Sequence, residues 1–195
     1  FVFACLAPAV ILVALFMFWP TVNVFRMSLY RMGGITNRKE FIGLQNFKTL
    51  MEDKNFLEAM QNTILIIVMV MIFTIVFAIL FAAILQRGKF KGKNFFRVIF
   101  YIPNILSIVV IGGIFGAIYD PSNGLLNTFL EAVHLDFLTH KWMGEPKIVI
   151  YSIIFALVWQ AIGYYMVMYM SGMSAIPEDL YEAASLDGSS EINTF

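Results

Sequence analysis

The stretch from Thr63 to Leu85, TILIIVMVMIFTIVFAILFAAIL, decides the fold. It carries no charge and is apolar all round from Ile64 onward. A helix rises about 1.5 Å per residue, so roughly 20 residues cross the ~30 Å hydrocarbon layer of a bilayer. A membrane barrel would instead show short alternating segments. Working outward, charge is absent from 59 to 86, and again from the first 25 residues, from 98 to 119 and from 148 to 177. The 13 basic and 13 acidic residues crowd between these windows. One ionised side chain at mid-bilayer costs roughly 2.5 to 3.5 kcal/mol on the insertion scale, so runs of this length are the signature of insertion.

The composition agrees: 60% hydrophobic residues, 13% charged residues and a mean hydropathy of +0.80 exclude an ordinary soluble domain. The expectation is an all-α membrane protein, a single transmembrane domain over 1–195, with spans at Phe1 to Val24, Thr63 to Leu85, Val98 to Ile118 and Ile148 to Met173. The alternative for the first span is a signal peptide. Its length, its run through Trp19 and Pro20, and the lack of a small-residue cleavage site favour a span. The chain opens at Phe1 and stops at Phe195 without a closing helix, so the expectation is a chain incomplete at both ends.

Orientation rests on basic residues in short loops. Arg87, Lys89, Lys91, Lys93 and Arg97 fall between the second and third spans with no acid among them, which sets that loop in the cytoplasm of a multi-pass cytoplasmic-membrane protein. The tail from Ser174 is then cytoplasmic as well, and 25–62 and 119–147 are outside. Against this, the first outer segment holds Arg26, Arg31, Arg38, Lys39, Lys48 and Lys54, mixed with acids. The tail has only Glu178, Asp179, Glu182, Asp187 and Glu191. An acidic inner tail either follows passively from the earlier spans or docks onto a protein.

No catalytic constellation is visible. Cys5 is single and lies within a span, which leaves no disulfide framework, metal cluster or redox pair. His134 and His140 lack a ligand-like cluster and read as solvated loop histidines. The run Gly88-Lys89-Phe90-Lys91-Gly92-Lys93 has the wrong spacing for a phosphate-binding loop, and its lysines suit anionic lipid. The chain is therefore not read as an enzyme, and neither a cofactor nor a nucleic-acid partner is expected for it.

Residues that interrupt the apolar pattern within spans are costly and thus informative. Pro103 cannot donate its backbone bond, so the turn before it is expected to kink or open, with Asn104 and Ser107 near to satisfy freed groups. Gly112 and Gly116 form a small-residue face that allows close helix approach, with tight packing the favoured reading. In the fourth span Trp159, Gln160, Gly163, Tyr164 and Tyr165 combine stacking surface with hydrogen-bonding groups, the chemistry that suits a neutral polyhydroxylated ligand. Aromatic anchoring at bilayer interfaces is the alternative. Asn104, Trp159, Gln160, Tyr164 and Tyr165 are the candidate substrate-pathway residues.

The tail, 177–195, reads as a helix, a sharp turn and a second helix. Pro177 fits the first helical position, Glu178 and Asp179 suit the positive end of the helix dipole, and Gly188 can end the helix with a positive φ. Ser189 or Ser190 would cap the next helix near Glu191. Leu180, Ala183, Ala184 and Asp187 share one face, kept low by the alanines, with Glu182 beside it.

With these residues the chain resembles the permease subunits of bacterial ATP-binding-cassette importers of the carbohydrate type, related to maltose, multiple-sugar and glycerol-3-phosphate permeases. The likeness runs through Gly43-Leu44-Gln45-Asn46-Phe47, Asn62-Thr63, Phe96-Arg97, Ile102-Pro103, Asp120-Pro121, Gly124-Leu125-Leu126-Asn127 and Trp159-Gln160 with Gly163. Its most specific part is Ala175-Ile176-Pro177 leading into Tyr181-Glu182-Ala183-Ala184 and Asp187-Gly188. That part looks like the family's coupling motif. The resemblance implies a polytopic helical bundle of the importer-permease type, with four spans present of six. It also implies a second permease subunit, two ATPase subunits that bind ATP and Mg, an extracytoplasmic solute-binding protein and a sugar or polyol substrate. Glu182, Ala183, Ala184, Asp187 and Gly188 would form the ATPase-coupling site. The sequence ends before the Ile and Leu-Pro that usually complete the motif, and Ser189 stands where a small residue such as alanine is common. Two other function classes stay open on the residues: an ion-coupled secondary transporter, which calls for an ionisable group within a span, and a non-transporting structural subunit.

Overall fold

The computed structural model describes residues 1–33, 39–87 and 92–190. The chain divides into two compact units, 1–61 and 62–195.

The first unit opens on α1 (Val2–Val13), a π-helical turn (Ala14–Phe18) and α2 (Trp19–Met27), which together are long and apolar enough to cross a membrane. The π turn has a local cause. Pro20 has no N–H to give the carbonyl one turn back, and a widened turn just ahead of it, in which Trp19 N–H reaches Ala14 C=O, accommodates the ring. A two-stranded hairpin that sequence reading did not anticipate follows: β1 (Tyr30–Met32) pairs antiparallel with β2 (Lys39–Phe41). Its Tyr30 and Phe41 rings meet edge to face at 5.3 Å. In α3 (Gln45–Glu52), Asn46 Nδ2 donates to the carbonyls of Ser28 at 2.7 Å and Tyr30 at 3.2 Å, tying the Gly43–Phe47 motif back to the end of α2. Helix α4 (Lys54–Arg87) begins in this unit, with the Asp53 carboxylate accepting from Asn55 N–H at 2.9 Å.

In the second unit α4 packs on α8 (Val149–Ser174). Ala78 and Ala82 of α4 are fully buried against Met166 and Met170, with Leu85 below them. Small residues one turn apart let two backbones come close, which is how helices gain van der Waals contact where lipid offers no hydrophobic drive. Phe73, Phe77 and Phe81 stack along α4, and Phe81 lies on Phe100 at 4.8 Å between ring centres. Phe100 belongs to α5 (Lys93–Ile105), whose backbone meets α8 at Gly163: a Cβ there would stand 1.8 Å from the Phe100 carbonyl oxygen. Only glycine fits.

Within the third expected span the position of the break is corrected. The segment is opened into two helices, α5 and α6 (Ile108–Ile118), bent by 103°. The break falls at Leu106 and Ser107, after Pro103 and not in the turn before it. Both residues are extended, and Ser107 caps the new helix by accepting from Val110 N–H at 3.4 Å. The proline is tolerated inside α5, whereas the cap restarts the ladder and so fixes the corner. Val2–Met27, Lys54–Gln86 and Val149–Ser174 can each cross a membrane, and the bent pair passes the same test as a unit. Gly112 and Gly116 have no close neighbour among the described residues, since a Cβ on either would meet nothing within 4 Å.

From α6 the chain passes through α7 (Leu125–Ala132) and a short 3₁₀ turn (Asp136–Leu138) to α8. Beyond α8 lies α9 (Glu178–Leu186).

Candidate functional site

Helix α9 is the first candidate. Pro177 stands one residue ahead of it, and its carbonyl accepts from Leu180 N–H at 3.2 Å. The end is a Schellman turn. Gly188 has φ +76°, Ser189 N–H bonds the Ala184 carbonyl at 3.0 Å, and Asp187 N–H bonds that of Ala183 at 3.0 Å. Glu182, Ala183, Asp187 and Gly188 are exposed and Ala184 is half-buried. Two leucines face outward, Leu180 at 61% and Leu186 at 88% exposure. Sequence reading placed Leu180 on the small-residue face but passed over Leu186. Leu186 follows Ala183 by three positions and Glu182 by four, so it flanks the same face, and an apolar residue just before a capping glycine was the available signal. The second tail helix expected near Glu191 lies outside the described residues.

The five pathway candidates are dispersed. Trp159 stands between two clefts. One, of about 800 Å³, lies among α4, α5 and α8 and is walled by Phe73, Phe77, Phe100 and Phe155. The other, of about 480 Å³, lies among α6, α7 and α8, beside Phe115, Tyr119 and Trp142. The Trp159 ring meets Phe115 edge to face at 5.4 Å. Asn104, Gln160, Tyr164 and Tyr165 line neither cleft. Tyr164 and Tyr165 are exposed and contact each other edge to face at 5.3 Å, while Asn104 and Gln160 are half-buried. With 100° between successive residues of a helix, Gln160 and Tyr164 share a face of α8 that is turned away from Trp159.

A polar network that the sequence signalled only through the Gly124–Asn127 motif organises the segment between α6 and α8. Asn127 is nearly buried. Its Nδ2 donates to the His140 carbonyl at 3.1 Å, and its Oδ1 accepts from Trp142 Nε1 at 2.7 Å. Ser152 Oγ donates to the Trp142 carbonyl at 2.9 Å, and Tyr119 OH donates to the Ser152 carbonyl at 3.2 Å. Every buried polar atom of Asn127 is thereby satisfied and the loop acquires one conformation. His140 is more than a solvated loop residue: its Nδ1 lies 3.3 Å from Glu145 Oε2 and its ring stands edge-on to Trp142. At the end of α6, Asp120 accepts from the backbone N–H of Asn123 at 2.8 Å and Ser122 at 2.9 Å, bonds that hold its carboxyl below the usual pKa range. Among the described residues no cluster of His, Cys, Asp and Glu could hold a metal ion.

Comparison with known proteins bears on both regions. Residues 75–195 match the family described as binding-protein-dependent transport system inner membrane component. A probable ABC transporter permease protein of Bacillus subtilis, YurN, is 36% identical over 97% of this chain and 65% of its own length. A diacetylchitobiose uptake system permease protein of Streptomyces coelicolor, NgcF, is 29% identical over 83% of this chain and 48% of its own. Among solved structures, a bacterial ABC transporter involved in the import of the acidic polysaccharide alginate superposes with a TM-score of 0.83 at 25% identity, covering 98% of this chain and 64% of that one. The same kind of transporter has been crystallised in complex with an alginate pentasaccharide-bound periplasmic protein, with a TM-score of 0.82. The chain thus spans between about half and just under two thirds of the length of these relatives.

Proposed function

Because the chain belongs to the binding-protein-dependent transport system inner membrane components, a family of transport components and not of enzymes, we propose that it forms the greater part of a permease subunit importing a sugar or related polyol. Substrate is delivered from outside by a solute-binding protein. A second permease subunit completes the pathway, and two ATPase subunits, with ATP and Mg bound to them, drive it from the cytoplasm. The names of the relatives, several of which refer to sugars, support the substrate class, and the complex of the alginate transporter with its periplasmic protein supports the delivery step.

One observation carries the coupling role: α9 ends in a Schellman turn, yet turns Leu180, Leu186 and the low Ala183 face outward. A short acidic helix held that way offers a small docking knob to a cleft on an ATPase subunit, with Glu182 available to a basic group. Driving then needs only that the ATPase contact α9 differently in its ATP-bound and ATP-free states. Gln160, Tyr164, Tyr165 and Asn104 supply the polar edge of the path, and Trp159 braces its wall; both apolar clefts are too poor in polar atoms to hold a polyol themselves.

The test is Glu182→Lys and Gly188→Pro in the complete transporter. Both should leave membrane insertion intact while detaching the ATPase subunits or abolishing substrate-stimulated ATP hydrolysis. Normal co-purification together with normal stimulation in both variants contradicts the reading.

A further inference from the structure

One bond at the far end of the α4–α8 seam joins two residues 88 positions apart: Gln86 Nε2 donates to Ser174 Oγ at 2.9 Å. Gln86 lies in the last turn of α4, and Ser174 is the last residue of α8. The hydroxyl is not a free rotor, because it donates its own proton to the Met170 carbonyl at 2.9 Å, which leaves a lone pair for the amide. Just above the bond, Ala82, Leu85 and Met170 close the seam.

The connection from α8 to α9 is short and internally bonded. Ala175 N–H bonds the Gly172 carbonyl and Ile176 N–H that of Met173, both at 3.2 Å, and Pro177 limits the backbone directly ahead of α9. Any push on α9 therefore arrives first at Ser174. At that point the chain offers two ways to respond: α8 slides past α4, or α4 travels with it.

We propose that Gln86 is a positioning residue, which latches α4 to the root of α9 through Ser174 so that a displacement of α9 moves α4 and α8 as one body. The inference rests on the reading of α9 as the ATPase-docking helix and adds to it the route by which the movement enters the spans. Van der Waals packing along the seam, through Ala78, Ala82 and Leu85 against Met166 and Met170, holds the two helices together but is not directional. A directional hydrogen bond at the end of the seam pins the register.

The experiment places spin labels on the exposed positions Ile84→Cys of α4 and Leu186→Cys of α9, in a Cys5→Ser background, within the complete transporter in lipid nanodiscs. Distances are measured without nucleotide and with ATP plus vanadate. The latch predicts one narrow distance, unchanged between the two states. Gln86→Leu and Ser174→Ala should each broaden or shift it in the ATP–vanadate state, while Ser174→Thr, which keeps the hydroxyl, preserves it. A distance as narrow in Gln86→Leu and Ser174→Ala as in the parent overturns the latch and leaves the docking role of α9 standing. A spectrum of the Leu186 label that does not respond to removal of the ATPase subunits overturns the docking role itself, and the latch with it. Folding of each variant is checked by the yield of assembled complex, which a loosened surface bond should not reduce.

Discussion

The seam between α4 and α8 and the helix α9 lie within the same unit, but their surfaces are finished in opposite ways. Along the seam Ala78, Ala82 and Met166 have no exposed surface, and Phe81 and Phe100 close its side. On α9 Leu180, Leu186 and Ala183 face outward instead, and Ala184 is only half-buried. The difference separates a surface finished within the chain from one that the proposed docking would cover: packing inside lipid rewards close, complete contact, and the open apolar face of α9 is the place where the proposal puts a partner.

The largest effect should come from the tightest point beside the seam. Gly163→Ala forces a methyl group onto the Phe100 carbonyl, which no side-chain rotation relieves. Overpacking of this kind costs about 1 to 3 kcal/mol or more. The expected outcome is a clear fall in melting temperature and yield of the purified complex, measured by thermal aggregation; unchanged stability would mean that α5 and α8 are not held as tightly as described. The smallest effect belongs to Thr74, whose hydroxyl is buried in α4 without a hydrogen-bond partner among the described residues. Thr74→Val exchanges that orphan group for a methyl of similar shape, and should be neutral or slightly stabilising in the same assay. A marked loss would reveal a partner for the hydroxyl in the assembled transporter.

Much of this was readable from the sequence, and the failures are physical ones. The charge-free windows located the crossings because ionised groups are excluded from hydrocarbon, and α9 with its terminating Gly188 followed from helix-end chemistry that is local to a few residues. The corner at Leu106 lies beyond the reach of the proline signal, because its position depends on where a capped helix can restart, which Ser107 decides. The facing of Trp159, Gln160 and Tyr164 was out of reach. On a helix with apolar residues on every side, no moment tells one side from another, and only neighbours distant in sequence assign Trp159 to the aromatic cluster and leave Tyr164 exposed. Asn127 was visible as a motif residue but its work was not, since its partners His140 and Trp142 are loop positions brought to it by the fold.

The most direct measurement of the central claim is site-specific photo-crosslinking from Leu186, the most exposed leucine of α9, in membranes carrying the complete transporter. The account predicts one dominant adduct with an ATPase subunit, lost when Glu182→Lys is introduced, while the melting temperature of the permease is unchanged because exposed Glu182 is not part of the seam. An adduct only with lipid or with the periplasmic binding protein, in a transporter that still hydrolyses ATP in response to substrate, would contradict it.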